Sequence, residues 1–491
     1  MPTIRLSKSR LMNYLQCPKR LHLQMFRPDL VQDSAETRQA FSVGHSVGQV
    51  ARHLVANGLL IEHDDDLTRA LAATQAALKN EPDRPLFEAT FQKDGLLIRA
   101  DVLAPSERRH RLTEVKASTE VKPHYVHDCA IQTWVVEGSG LPLDMIELAH
   151  VDTSFIYPGD GDYRGLLVHE DVTDPVRSLM NEVPDWVEGA RRVLAGSEPR
   201  ISSGDQCMDP YPCPFIEHCR PPESGYPVTL FPRDRGKSTA TSLKLDGFND
   251  IRDIPEGYLI NPKYEWIRRV TVAGTPDLDP RVTDVMSQFK YPRYYLDFET
   301  IQFAVPIWKG TRPYQMLPFQ WSCHTELADG ELKHYEFLGL GPHAPMRDLA
   351  EQLLTTLSRH GEGPVFVYSG FEGGRIRELA ALFPDLSDRL ASLVERLVDL
   401  LPIARAHYYH PDMKGSWSIK AVLPTIAPEL SYSGLGEIQD GGSAGVAYLE
   451  LLDPATDSSR RVTLIRDLRE YCKRDTLAMV KLAQYFSKGT A

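Results

Sequence analysis

Residues 96–118 read LLIRADVLAPSERRHRLTEVKAS, two runs of alternating apolar and polar residues joined by a polar segment. The pattern predicts two neighbouring strands, and a further strand is predicted over 85–91. Because side chains alternate along a strand, Glu114 and Lys116 share one face, and Asp101 lies near the end of the preceding strand. Two carboxylates and a lysine can hold Mg²⁺ or Mn²⁺ and orient a water nucleophile. A solvated strand face with an ion pair is the alternative that this motif alone leaves open.

Neighbouring polar residues could complete this site. His45 lies in a helical stretch and Glu88 lies on the preceding strand, so either could add a metal ligand. Asp128 and Gln132 are four residues apart on a helix predicted over 124–138, so they share a helix face. An ordinary capped or partly buried helix histidine is the alternative for His45.

The cysteines form a second pattern, because three of them are spaced as C-x5-C-x5-C in a proline-rich stretch and a fourth lies far upstream. Seven cysteines are an odd number in a chain for which no secretory leader is expected, which speaks against a disulfide scaffold. Four thiolates can close a zinc site or hold a 4Fe–4S cluster, and zinc sites usually pair cysteines as C-x2-4-C. The proposed set is Cys17, Cys207, Cys213 and Cys219, whereas Cys129, Cys323 and Cys472 are expected to be core or helix-face thiols.

These N-terminal features together resemble the RecB-like branch of the PD-(D/E)XK nucleases that carries an iron–sulfur cluster. Members of that branch include the CRISPR-associated single-strand exonuclease and the AddB helicase-nuclease. The resemblance implies a restriction-endonuclease-like α/β domain over 1–225. Its implied residues are the catalytic set Asp101, Glu114 and Lys116, the metal ligands His45, Asp101 and Glu114, the helix residue Gln132, and the cluster ligands Cys17, Cys207, Cys213 and Cys219.

A third pattern lies near the C-terminus. In YYLDFET, Asp297 and Glu299 share one face of a strand predicted over 292–299. Tyr471 and Asp475 are four residues apart on a predicted helix. A mid-domain acid, Glu372, follows the next predicted strand, over 364–368. Acids on a buried strand need their charge compensated, most simply by a metal. A strand end and an exposed helix face remain the alternative for each part taken singly.

The order D-x-E, then a mid-domain acid, then Y-x3-D resembles the tyrosine-bearing DnaQ-like 3′–5′ exonucleases of the RNase H-like fold. The resemblance implies an RNase H-like domain over 288–491 with a two-metal site in which Tyr471 positions the attacking water. Glu372 stands where that family ordinarily has aspartate, and Asp399 is the fallback ligand. The implied catalytic residues are Asp297, Glu299, Glu372, Tyr471 and Asp475, and the implied metal ligands are Asp297, Glu299, Glu372 and Asp475.

Length and composition set the outer limits. At roughly 100–200 residues per folding unit, 491 residues imply about three units, here 1–225, a connector of short helices over 226–287, and 288–491. Composition with 42% hydrophobic and 25% charged residues excludes a disordered chain. A mean hydropathy of −0.31 and the lack of a long apolar run exclude a membrane span, so a cytoplasmic protein is expected.

Charge narrows the expected mode of nucleic-acid binding. A net charge of −12 argues against nonspecific coating of nucleic acid over the whole surface and leaves room for a local basic patch. The candidate patch precedes the first acid, Asp29, and consists of Arg5, Lys8, Arg10, Lys19, Arg20 and Arg27.

The sequence therefore predicts an α/β, metal-dependent DNA nuclease with two active heads that acts on single strands or ends. Repair, end processing or defence against foreign DNA is the expected role, with a helicase or another repair or defence protein as a possible partner. Two alternatives stay open. One is an RNA-trimming exonuclease, and the other is a nucleic-acid-binding factor in which one head is inactive.

Overall fold

The computed structural model describes residues 6–31, 35–62, 66–107, 109–220, 225–232, 234–430 and 436–489. The chain is mixed α/β and divides into two compact units. Unit 1 comprises Met1–Pro221 and Phe303–Gln315, and unit 2 comprises Pro222–Gln302 and Met316–Ala491.

The elements of unit 1 follow one another from a short N-terminal strand to a short helix near its end. They are β1 (Leu6–Ser7), α1 (Lys8–Gln16), α2 (Pro18–Phe26), α3 (Ala35–Leu54), β2 (Leu59–Leu60), α4 (Leu67–Asn80), β3 (Leu86–Lys93), β4 (Leu96–Pro105), β5 (His110–Lys116), α5 (Pro123–Gly138), β6 (Leu143–Val151), β7 (Leu167–Asp171), α6 (Thr173–Leu179), α7 (Val183–Ala195) and α8 (Ile216–Cys219).

A mixed sheet with the strand order β2-β3-β4-β5-β6-β7 forms the centre of unit 1. β3, β4 and β5 are antiparallel neighbours, and the β3–β4 turn has positive φ at Asp94 and Gly95, as tight two-residue hairpins require. α5 then crosses over, so that β6 runs parallel to β5. The strand predicted over 85–91 is β3, and the two runs within 96–118 are β4 and β5.

α5 is the central helix of unit 1. Its apolar residues Cys129, Ile131 and Val135 are fully buried in the hydrophobic core. Asp128 and Gln132 are buried as well, so their polar groups need partners within the protein. A helix buried on most of its faces holds its polar side chains in fixed positions, which suits it to build a site.

The elements of unit 2 begin with short helices and end with one long helix. They are α9 (Asp234–Leu245), α10 (Pro262–Ala273), β8 (Asp277–Leu278), α11 (Val282–Ser287), β9 (Arg293–Ile301), β10 (Leu317–Glu326), β11 (Leu332–Leu338), α12 (Met346–Thr356), β12 (Val365–Val367), α13 (Phe371–Leu382), α14 (Ser387–Glu395), β13 (Leu397–Asp399), α15 (Leu400–His407), β14 (Tyr408–Tyr409), α16 (Ile419–Ile426), α17 (Gly441–Leu452) and α18 (Ser458–Lys488).

The main sheet of unit 2 has the strand order β11-β10-β9-β12-β13. β9 is antiparallel to β10, which is antiparallel to β11, whereas β12 is parallel to β9 and to β13. α18 packs on β9 and β10. β9 is therefore the central strand, and one of its faces is covered by the last helix.

The segment 226–287 consists of short helices, as the sequence indicated. Its residues Val228 and Ile267 share one hydrophobic core with Tyr295 of β9 and Val480 of α18. The segment is thus packed into unit 2. Across the described chain, no helix has both the length and the apolar surface needed to cross a bilayer.

Two helix predictions differ from the structure. The sequence pattern over 176–194 predicts a single helix, but the structure divides it into α6 and α7, because Pro184 lies in the first turn of α7 and has no N–H with which to continue the preceding helix. The sequence pattern over 387–399 also predicts one helix, but the helix ends at Glu395, because residues 397–399 form β13. The pairing of Leu397 with Val365 of β12 overrides the local helical pattern there.

Candidate functional site

The first site lies in unit 1, where β4 and β5 diverge. Their regular backbone pairing ends with Val102 opposite Thr113. Beyond that pair, the side chain of Asp101 accepts a hydrogen bond from the backbone of β5. Asp101 Oδ2 accepts a hydrogen bond of 2.7 Å from the backbone N–H of Val115. This bond places Asp101 next to the strand residues Glu114 and Lys116, so the structure brings the three predicted residues together.

α5 completes this site with two buried side chains. Lys116 Nζ donates to Glu114 Oε1 and to Asp128 Oδ2, both at 2.6 Å. Gln132 Nε2 donates to Glu114 Oε2 at 2.6 Å and to Asp128 Oδ1 at 3.1 Å. Within the described chain Gln132 Oε1 is buried and has no hydrogen-bond partner. The amide therefore leaves one acceptor oxygen for a ligand or water in the site.

The pKa values of two acids in the first site, Asp101 and Asp128, shift in opposite directions. Burial, together with the charge of Glu114, raises the pKa of Asp101 to about 8, so this carboxyl is protonated at neutral pH in the metal-free protein. Burial alone would also raise the pKa of Asp128, but the Lys116 and Lys8 ammonium groups outweigh burial and lower it. A bound divalent cation would reverse the state of Asp101.

Three residues outside the motif, His45, Glu88 and Lys8, differ in their contacts. His45 is exposed on α3, and its Nε2 lies 2.9 Å from Gln49 Nε2. Glu88 pairs with Arg52 at 3.3 Å. Lys8 was expected only as part of a basic surface patch. It instead reaches Glu114 Oε1 at 2.9 Å and Asp128 Oδ1 at 3.0 Å.

The remaining basic N-terminal residues divide between ion pairs and positions that face the cysteines. Lys19 pairs with Glu198 at 3.0 Å, and Arg27 pairs with Asp29 at 2.9 Å. Arg20 lines the cysteine pocket described next. Arg5 lies outside the described residues. The patch is therefore partly neutralised by carboxylates.

The four cysteines singled out by spacing line one pocket in unit 1. Cys17 lies at the break between α1 and α2, and the N–H of Cys213 donates to the carbonyl of Cys207 at 2.8 Å. None of the four is in a disulfide. Burial raises the pKa of the Cys213 and Cys219 thiols, and the other cysteines of the set add to the effect. The pocket is called the cysteine pocket below.

The sulfurs of the cysteine pocket do not all converge on one point. Among the described His, Cys, Asp and Glu residues, only Asp297, Glu299 and Cys472 bring three ligand atoms within 4.8 Å of one another. Any three of the four sulfurs therefore include one pair that is more than 4.8 Å apart.

The second site lies in unit 2, between β9 and α18. Asp297 and Glu299 project from β9, and Cys472 from α18 lies with them, its Sγ 3.7 Å from Asp297 Oδ2. Asp475, one turn further along α18, is buried and raises the pKa of both strand acids. Tyr471 is buried on the same helix. The structure thus gathers the predicted strand and helix residues on one face of the sheet.

Glu372 joins this group from the first turn of α13. Its side chain is nearly inaccessible, with 3% exposure, and Oε2 has no hydrogen-bond partner in the described chain. Burial raises the pKa of Glu372 to about 7, and Asp399 and Asp475 add to the rise. Asp399 itself caps α15 by accepting the N–H of Leu401 at 2.9 Å. Glu372 is therefore the ligand candidate, and Asp399 has a structural role.

The second site carries an excess of negative charge. Burial and the neighbouring carboxylates raise the pKa of Asp297 and Glu299 well above their ordinary values. Lys420 of α16, which sequence reasoning missed, lowers the pKa of Glu299 in opposition to these effects, and its Nζ lies 5.1 Å from the Tyr471 ring centre. The contact between Lys420 and Tyr471 cannot be predicted from their separation in the sequence, because it depends on the packing of α16 against α18.

Four aromatic residues, Trp308, Tyr314, Phe319 and Trp321, are of a type that can stack on bases or pack in a core. Phe319 and Trp321 of β10 are buried, and Phe319 stacks on Tyr448. Trp308 is buried too, and Tyr314 donates its hydroxyl to the carbonyl of Ala117. Core packing accounts for their positions.

Comparison with known proteins gives a partial match. Residues 294–418 match the model of a family described as a domain of unknown function, DUF2779. That range contains β9 with Asp297 and Glu299, and also Glu372. No curated protein matches the chain. Among solved structures, the crystal structure of SSO0001 is similar at 13% sequence identity, with 45% of this chain and 87% of that chain covered and a TM-score of 0.23.

Proposed function

We propose that the protein is a metal-dependent nuclease with two separate hydrolytic sites that acts on DNA ends or single strands. The observation that carries the proposal is the second site, where four carboxylates converge and the pKa values of three of them, Asp297, Glu299 and Glu372, are raised. Such a group is unfavourable unless a cation neutralises it. Oxygen donors are the ligands that Mg²⁺ and Mn²⁺ prefer.

The fold of unit 2 supports an RNase H-like, DnaQ-type assignment. Three antiparallel strands continued by two parallel ones, in the order β11-β10-β9-β12-β13, are the arrangement of that fold. Its acids are expected on the central strand and on the last helix, where Asp297, Glu299 and Asp475 lie. The shared placement favours the exonuclease over an accidental acidic cluster.

The order of elements in unit 1 supports a PD-(D/E)XK assignment. An antiparallel set β3-β4-β5, a crossover helix α5 and the parallel strand β6 correspond to the core of that fold. Asp101 lies on its second strand, Glu114 and Lys116 on its third, and Gln132 on its helix. For His45, only the sequence resemblance supports a role as a metal ligand, because the residue is exposed and its ring contacts Gln49.

The residues of the second site divide the chemistry among them. Asp297, Glu299, Glu372 and Asp475 would hold the divalent ions, which when bound supply charge neutralisation at the phosphate and acidify water. Tyr471, buried next to Asp475 on α18, would orient the attacking water through its hydroxyl. Cys472 donates its thiol hydrogen to Asp297 Oδ2 at 3.7 Å, and burial raises the pKa of this thiol, so it would orient the Asp297 carboxylate without binding the ion.

In the first site Asp101 and Glu114 would hold a divalent ion with the same chemistry. Lys116 would orient the water and stabilise the charge that develops on the phosphate. Gln132 holds Glu114 and Asp128 in register, so the helix fixes the orientation of the metal-binding carboxylate.

The cysteine pocket would hold an iron–sulfur cluster. Its four thiols line one pocket, and four cysteine thiolates are the usual ligand set of such a cluster. Because Cys17 lies between α1 and α2 and the other three ligands lie within 207–219, a cluster would connect the N-terminal helices to that later stretch. A cluster in this place has a structural role, with no part in the hydrolysis.

The test is cleavage of DNA by the full chain. Single strands labelled at the 5′ or the 3′ end are incubated with Mg²⁺, with Mn²⁺ and with EDTA, in the presence or absence of unlabelled RNA of the same sequence. We expect degradation that requires a divalent ion and resists the RNA competitor. Efficient competition by RNA would indicate the RNA-trimming alternative. Tight binding without cleavage in either metal would indicate a binding factor and would refute the proposal.

A further inference from the structure

Lys8 brings a second ammonium group into the first site. Its Nζ donates to Glu114 Oε1 at 2.9 Å and lies 3.0 Å from Asp128 Oδ1. Lys116, at the end of β5, contacts the same two carboxylates. The Lys8 side chain remains 23% exposed, so one side of it faces solvent.

The backbone holds Lys8 in this position. β1 pairs in parallel with β4, with Leu6 opposite Leu96 and Ser7 opposite Leu97. Ser7 then caps α1 by accepting the N–H of Arg10. Lys8 is therefore the first residue of a helix that begins beside the strand carrying Asp101, and the strand pairing and the helix cap fix where that helix begins.

Glu114 Oε1 is fully occupied in this arrangement, because it accepts from both lysines, whereas Oε2 accepts only from Gln132. A divalent ion that binds Glu114 through Oε1 must therefore displace one of the two lysines. The contacts of Lys8, at 2.9 and 3.0 Å, are longer than those of Lys116, both at 2.6 Å. Lys8 is the donor that is released more easily.

We propose that Lys8 is a substrate-contacting residue of the first site, which occupies Glu114 until a divalent ion binds and then contacts a backbone phosphate of the nucleic acid. The inference rests on the proposed nuclease function and deepens it, because it names the group that the displaced ammonium meets. Displacement leaves the lysine charge beside the bound ion, where a phosphate is the anion that the reaction supplies.

The experiment uses the full chain with Asp297→Asn and Glu299→Gln, so that metal binding and cleavage report on the first site. Lys8→Met removes the charge at nearly constant length, Lys8→Arg keeps it, and Lys79→Met removes a charge from an exposed position on α4. We measure the Mn²⁺ dissociation constant without DNA, the KM for a single strand, and the salt dependence of single-strand binding in Ca²⁺.

Lys8→Met is expected to bind Mn²⁺ several-fold more tightly, because a competitor for Glu114 is gone. Its KM should rise about tenfold, as for one lost charge-assisted contact. The slope of log binding constant against log salt should fall by about 0.7, the contribution of one phosphate contact on a single strand. Lys8→Arg should restore KM and slope.

An unchanged Mn²⁺ affinity or an unchanged slope in Lys8→Met, equal to Lys79→Met, would overturn this inference while the nuclease proposal stands. If the parent protein neither binds Mn²⁺ nor cuts, the nuclease function of the first site is overturned and this inference with it. The same conclusion follows if the parent cuts and Lys116→Met leaves that cleavage unchanged.

Discussion

At the scale of a single residue, the raised pKa of Glu372 reflects the cost of a charged carboxylate in the second site. Burial raises the pKa of this carboxyl to about 7 from an ordinary 4.5. Between these pH values the folded, metal-free protein keeps a proton that the unfolded chain has lost. The stability associated with the proton is complete below about pH 4.5 and is lost as the pH rises through about 7.

Glu372→Gln should remove this pH dependence, because glutamine does not titrate. In EDTA the wild type and the variant should be similarly stable near about pH 4.5. Above about pH 7 the variant should be more stable by about 3 kcal/mol in the free energy of unfolding. Denaturant unfolding at about pH 5 and about pH 8 measures the difference. Parallel pH profiles of the two proteins would contradict the placement of Glu372 in a charged, buried cluster.

α18 is the element that positions the second site. Its Thr476, next to Asp475, accepts or donates hydrogen bonds of 2.8 Å with Ser322 and with His324 of β10. Ser322 lies directly opposite Asp297 across the strand pair. The threonine hydroxyl thus fixes the register of α18 against the strands that carry the acids.

Thr476→Val should therefore weaken the second site without touching any proposed ligand. Two buried polar groups lose a partner, which costs about 1–3 kcal/mol of stability, and 3′-end trimming should fall about tenfold as Asp475 loses its register. Thr133→Val is the control, because Thr133 is equally buried and its hydroxyl has no partner within the described chain. Thermal unfolding and a 3′-trimming assay report both quantities. Equal behaviour of the two variants would contradict the positioning role.

The break between α1 and α2 places Cys17 in the cysteine pocket. Protein purified without oxygen should be brown and should contain iron and acid-labile sulfide. Cys213→Ser should lose the colour and most of the iron, whereas Cys129→Ser, at a core thiol of α5, should keep them. Stoichiometric zinc without iron in the wild type would contradict the cluster assignment.

At the scale of the whole molecule, the sequence predicts those features that local patterns determine. Alternation of apolar residues is sufficient for β3, β4 and β9, and i,i+4 spacing is sufficient for the pairs on α5 and α18, because each depends on neighbours along the chain. Three of the four cysteines could be grouped because they recur at equal spacing within one proline-rich stretch.

The contributions of Lys8 and Lys420 could not be predicted, because long-range packing determines them. Lys8 reaches Glu114 only because β1 pairs with β4, and Lys420 reaches Tyr471 only because α16 packs on α18. The segment 226–287 shows the same limit, since its short helices gave no sign that Val228 and Ile267 would enter the core of unit 2. The strand at 397–399 was hidden in a helical pattern for the same reason.

The central claim is that each unit carries its own hydrolytic site. Its most direct test compares four full-length proteins on 5′- and 3′-labelled single strands with Mn²⁺: wild type, Lys116→Met, Asp297→Asn and the double variant. Lys79→Met and Asp329→Asn, both at exposed positions, serve as charge-matched controls. Each single variant should lose one class of product and keep the other, and the double variant should produce neither. Unchanged products in both single variants, or cleavage that survives in the double variant, would contradict the two-site account.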